Sequence, residues 1–162
     1  MRKFIFTILT ALAVLSNISA QEMTNVKVQN LSGKVIESSD WVDGETPFIL
    51  SFWSTTCKPC IQELDVIAEN YIDWNDDTPF RVVAVSIDDS RSVARARALA
   101  RGRGWSDVLT LAFDTNSDLK RAFNVVSVPQ VFIFDKDGKM VYSHTGYTPG
   151  NENELFERIQ EL

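Results

Sequence analysis

The chain has 162 residues, 16 of them basic and 22 acidic, with one histidine and two cysteines. That length suits one domain with a real hydrophobic core, and the acidic excess argues against nucleic acid as a partner. Two cysteines and a distant His144 fall short of the four ligands that a structural zinc site needs.

Residues 1–20 read as a signal peptide: Arg2-Lys3, an apolar stretch from Phe4 to Leu15, then Ser16 to Ala20, ending on a small residue. The apolar stretch is shorter than the roughly 20 residues of a membrane helix. A retained anchor is therefore the weaker reading, and no cysteine follows that could carry a lipid. Cleavage after Ala20 would leave residues 21–162 as one domain, with 14 basic and 22 acidic residues. Export implies a compartment that tolerates disulfides, the periplasm or cell envelope.

Val26 to Glu37 reads as strand, turn at Leu31-Ser32-Gly33-Lys34, and strand. Asp40 to Thr46 is expected to be a loop with Trp41 turned into the core. Pro47 to Trp53 is an apolar and aromatic run of strand length, after which the period changes. Cys60, Leu64, Ile67, Ala68 and Tyr71 recur at spacings of three and four, along one face of a helix. Cys57 therefore falls at the helix start, where unpaired N–H groups and the helix dipole favour a thiolate. Lys58 adds a positive charge beside it, Pro59 fits the first helical turn, and Cys60 is close enough to close a disulfide. A structural staple is an alternative, but so small a loop would stabilise by only about 2 kcal/mol. Redox chemistry is the favoured reading of a C-x-x-C pair on a strand-to-helix joint.

Phe80 to Ile87 is β-branched and apolar, as a buried parallel strand is. Ser90 to Gly104 is helical in composition and carries Arg91, Arg95, Arg97, Arg101 and Arg103 without an acid. Val93, Ala96 and Ala100 would form its inner face. It is either a solvated helix paired with surrounding acids or a docking face for an acidic partner. Val108 to Phe113 is the next strand, Leu119 to Phe123 a short helix, and Val131 to Phe134 a strand preceded by Val128-Pro129. Asp135 to Lys139 turns into a strand from Met140 to Thr145 that carries His144, and Asn151 to Leu162 closes the chain as a helix.

Phe52-Trp53 followed by Cys57-Lys58-Pro59-Cys60 resembles the active site of thioredoxin-fold proteins, and most closely that of exported TlpA/ResA-like thiol-disulfide oxidoreductases. Their glutamate three residues after the second cysteine falls here on Glu63. The resemblance implies an α/β thioredoxin fold: a central mixed sheet, helices on both faces, and an added amino-terminal hairpin. It also implies a cis Val128–Pro129 bond beside the cysteines, with the Val128 backbone available to a substrate strand. Two positions depart from cytoplasmic thioredoxins. Ser51 stands where they carry a buried aspartate, and Thr56 where they carry the tryptophan before the first cysteine.

The expected site is then Cys57 as attacker and Cys60 as resolver, with Trp53, Lys58, Pro59 and Glu63 in support. Glu63 should be partly buried and exchange protons with the thiols. No cofactor beyond the Cys57–Cys60 disulfide is expected. The implied partners are a disulfide-containing exported protein and a membrane electron donor, for a monomer that serves redox homeostasis, with cytochrome c maturation as one family task. Oxidation or isomerisation remains an alternative direction. A thiol peroxidase would need a Pro ahead of Cys57 that is missing after Phe48. A copper carrier would use Cys57, Cys60 and His144.

Overall fold

Strand β3 (Phe48–Trp53) is buried at all six positions, which is why its sequence is a continuous apolar run rather than an alternation. The computed structural model describes residues 21–162; the signal-peptide reading of residues 1–20 lies outside them. β3 pairs in parallel with β4 (Arg81–Ser86), and β4 with β5 (Thr110–Phe113). On its other side β3 runs antiparallel to β6 (Gln130–Phe134), which pairs with β7 (Met140–Thr145). An amino-terminal hairpin of β1 (Lys27–Asn30) and β2 (Val35–Glu37) joins this sheet through antiparallel pairing of β1 with β5. The seven strands thus run in the order β2-β1-β5-β4-β3-β6-β7. The hairpin turn needs a left-handed residue, supplied by Gly33 at φ 88°.

Alternation along β3 divides the core. Ile49 and Trp53 pack with Cys60, Leu64 and Ile67 of α1 (Lys58–Asp77), with Val93, Ala96 and Ala100 of α2 (Val93–Gly102), and with Leu155 and Ile159 of α4 (Asn151–Gln160). Phe48, Leu50 and Phe52 pack on the opposite face with Leu119 of α3 (Asp118–Ala122), Phe123 and Trp41. The expected mixed sheet with helices on both faces and an amino-terminal hairpin is the fold observed, and Trp41 is core, at 5% exposure.

Differences from the sequence reading are local. α2 starts at Val93 rather than Ser90, because the Asp89 carboxylate accepts the Arg91 and Ser92 backbone N–H groups and holds those residues in a turn. Trp105–Asp107 is a 3-10 turn that delays β5 to Thr110. Trp105 is fully buried there, edge-on to Trp53 at 5.0 Å, with its Nε1–H donated to Asp65. Four of the five arginines around α2 are tied to neighbours: Arg91 pairs with Asp89, Arg103 with Asp65, Arg97 bonds Gln29 and covers Phe113, and Arg101 donates to the Leu31 carbonyl, while Arg95 is exposed. That favours the paired helix over a docking face.

The start of the described chain is also fixed. Met140 donates its N–H to the Gln21 carbonyl, Met23 donates to Gly138, and Glu22 bridges Lys139. These contacts lie at the β7 end where Met140 pairs with Phe134, while the other end pairs Thr145 with Gln130.

Candidate active site

β3 ends at Trp53, and Ser54 to Cys57 form a turn closed by the Cys57 N–H on the Ser54 carbonyl, at 3.1 Å. Cys57 is the N-cap of α1, in extended conformation, and its Sγ accepts the Cys60 backbone N–H at 3.3 Å. A sulfur thus takes the place of the usual capping oxygen. Pro59 lies in the first turn, where no intrahelical bond asks for its N–H. Cys57 and Cys60 are joined as a disulfide, with their Cα atoms 5.3 Å apart. The two sulfurs differ in access: Cys57 is half-buried and Cys60 fully buried, while Lys58 and Pro59 are exposed. Trp53 is also fully buried, so it supports the turn from beneath; among the described polar atoms its Nε1 is a buried donor without a partner.

Glu63 follows Cys60 by three residues and is 0% exposed, deeper than the partial burial expected from the helix pattern. The small Ser51 side chain opposite makes room for it, and its Oγ–H donates to Glu63 Oε2 at 3.4 Å. Among the described atoms Oε1 has no partner. Burial pushes the Glu63 carboxyl up from 4.5 to about 8; the Ser51 hydrogen bond opposes this and the negative charge of Glu152 adds to it. Glu152, at the start of α4 and 8% exposed, accepts the Gly150 N–H. Tyr147 is pushed up to about 12 by burial first, then by its hydrogen bond to Glu152 and the charges of Glu152 and Glu63. A group held near 8 is largely protonated at neutral pH and can both give and take a proton there.

On the neighbouring strand, the Val128–Pro129 bond is cis, as expected. Pro129 is buried and Val128 half-buried, packed against both halves of the core. The register pairs Phe52 with Gln130, so Pro129 falls alongside the end of β3 that leads to Cys57. Its carbonyl accepts the Gly146 N–H. His144 sits on β7 opposite Val131, stacked on Tyr142.

The sequence pattern of the AhpC/TSA family matches residues 20–143, more than three quarters of the chain. The chain belongs to the AhpC/TSA family. Relatives include thiol-disulfide oxidoreductases: ResA of Bacillus thuringiensis is 28% identical over 126 residues, covering 78% of this chain and 69% of that protein. ResA of Bacillus subtilis is 30% identical over 122 residues, covering 75% and 64%. Among solved structures, a thioredoxin-like protein from Porphyromonas gingivalis is 44% identical, with TM-score 0.75 over 86% of this chain and 90% of that one. A DsbE-type protein from Chlorobium tepidum, 24% identical with TM-score 0.70, covers 88% and 96% and shows the same fold. This AhpC/TSA member is thus of the ResA/TlpA-like, thioredoxin-fold kind, and its C-x-x-C chemistry is that of a thiol-disulfide oxidoreductase.

The sequence pattern pointed to both cysteines, and the resemblance to Glu63 and a cis Pro129; neither pointed to two further buried carboxylates. Asp88 is one. It lies in the segment after β4, 8% exposed, and accepts the Thr55 N–H at 2.9 Å, the Thr55 Oγ–H at 2.7 Å and the Ser86 Oγ–H at 2.8 Å. Glu152 is the other. The Asp88-Asp89 pair at the end of an apolar strand was the available signal for Asp88; nothing local marked Glu152.

Proposed function

We propose that this oxidoreductase is exported and works as a reductant of disulfides in exported proteins, with Cys57 as attacker and Cys60 as resolver. The inequality of the two sulfurs carries the assignment. Cys57 meets solvent at a helix N-terminus that favours its thiolate, whereas Cys60 is buried beside a carboxyl poised to exchange protons. The Cys57 thiolate attacks one sulfur of a substrate disulfide, forming a mixed disulfide and releasing the other sulfur as a thiolate, which takes a proton from water. Cys60 passes its proton to the Glu63 carboxylate and attacks Cys57, releasing the second substrate thiolate, which also takes a proton from water. The substrate gains two electrons and two protons, and the pair is left oxidised. A membrane electron donor would restore the dithiol. The backbone at Val128, beside cis Pro129, and the exposed Lys58 and Pro59 are the proposed contacts for the substrate strand.

Export rests on the signal-peptide pattern of residues 1–20, and the periplasm or cell envelope is the compartment it suggests. The kinship with ResA supports a reductive direction, with cytochrome c maturation among the tasks that fit it and a monomer as the working form. Two measurements test this. Cys60→Ala, expressed with the native leader and acid-quenched, should accumulate disulfide-linked adducts on non-reducing gels, and Cys57→Ala should not; equal trapping would reverse or dissolve the roles. A reduction potential near about −270 mV supports a reductant, and one near about −120 mV would make the protein an oxidant.

A further inference from the structure

The chemistry proposed above uses Glu63 and leaves the second buried carboxylate, Asp88, without a task. Both Asp88 oxygens are engaged, and the three donors that reach them belong to two residues: Thr55, through its N–H and its hydroxyl, and Ser86. Asp88 N–H also returns to Ser86 Oγ at 3.2 Å, so the carboxylate is fixed to the end of β4. Thr55 is the first central residue of the turn whose last residue is Cys57. A rigid strand end thereby holds, through one carboxylate, the turn that delivers the reactive sulfur to the helix N-terminus.

We infer that Asp88 is a positioning residue for the reduced active site, keeping Cys57 at the N-cap of α1 once the disulfide has opened; this rests on the redox reading above. While the disulfide is closed, the covalent bond to Cys60 itself keeps Cys57 Sγ over the Cys60 N–H. After reduction that constraint is gone. What then keeps the sulfur over the helix N-terminus is the Ser54–Cys57 turn, and the turn is held by Asp88. The clamp therefore favours the dithiol over the disulfide form. Loosening it should lower the reduction potential and slow attack by Cys57.

A purely electrostatic role predicts the opposite. Asp88 as an anion near the thiolate would disfavour it, so neutralising the charge would raise the potential and speed attack. Thr55→Val separates the two effects, since it deletes one bond of the clamp and leaves the Asp88 charge in place.

The experiment is a glutathione or dithiothreitol redox titration of the full mature chain, wild type against Asp88→Asn, Thr55→Val and Thr55→Ser, together with the alkylation rate of Cys57 at pH 7. The expected result for Asp88→Asn is a shift of about tenfold toward the disulfide in the dithiol–disulfide equilibrium, or about 30 mV more negative. Thr55→Val should shift it about threefold the same way, and Thr55→Ser, which keeps a hydroxyl, should restore the wild-type value. Cys57 alkylation should slow in the same order. Should Asp88→Asn not fold, the two Thr55 variants decide alone. Unchanged potentials, or a shift to less negative values, in a series whose wild type exchanges disulfides would overturn the clamp and leave the redox function standing. A wild type with no exchange at all would instead overturn the function itself.

Discussion

Two buried carboxylates flank the C-x-x-C pair, and they have been buried in contrasting ways. On the Cys57 side, Asp88 is surrounded by donors, with the Thr55 and Ser86 groups engaging both oxygens. On the Cys60 side, Glu63 is fully buried with one long bond from Ser51, and Oε1 has no partner among the described atoms. Burial costs a charged group unless hydrogen bonds replace its water. Where donors replace it, a carboxylate becomes a fixed strut; where they do not, it holds its proton. One side of the disulfide is thus built for geometry and the other for proton traffic.

The contrast can be broken from either side. The largest effect belongs to Glu63. Its carboxyl is held near 8 in the folded chain against an ordinary 4.5. Between those values the native state carries more protons than the unfolded one, so stability falls as pH rises. The stabilisation is complete below 4.5 and lost through about 8, an upper limit of about 4 kcal/mol between pH 5 and 8. Glu63→Gln should flatten that slope in urea unfolding while slowing disulfide reduction near neutral pH. An unaltered slope would mean that another group sets it.

Asp88 should behave otherwise. Asp88→Ala strands three buried donors and should cost about 3 kcal/mol, and more with the disulfide reduced than closed. A loss no larger in the reduced than in the oxidised protein would take the role of strut from Asp88 and erase the contrast. The smallest effect sharpens it. Ser51→Ala removes the one donor to Glu63 and should raise its midpoint further, by about 1 kcal/mol or less, given the 3.4 Å bond. Infrared titration of the protonated carboxyl would register that; a midpoint that fell would mean Ser51 does not favour the carboxylate.

What the sequence disclosed follows from range. The C-x-x-C pair, the helix stripe through Leu64 and Ile67, and the apolar β3 and β4 runs are local patterns, and each stands where its period implies. Glu63 was legible as a candidate through the resemblance, whose glutamate falls three residues after the second cysteine. Its full burial was not, since that depends on Ser51 opposite it in the sheet, 12 residues away. The Thr55–Asp88 clamp joins residues 33 apart and the Trp105–Asp65 bond residues 40 apart. No periodicity encodes such meetings. The β1–β5 pairing is of the same kind: the hairpin was visible, its seat on the sheet was not.

The backbone contacts of Gln21 to Met23 with Gly138 to Met140 have a consequence for how the domain would be displayed. They place the chain's way into the fold at the Phe134 end of β6, four residues and about 13 Å from the Gln130 end that adjoins the site. Any tether ahead of residue 21, on a bead, a fusion partner or a bilayer, would pull from the pole of the domain opposite the sulfurs. The disulfide would face away from its support, open to clients arriving from solution.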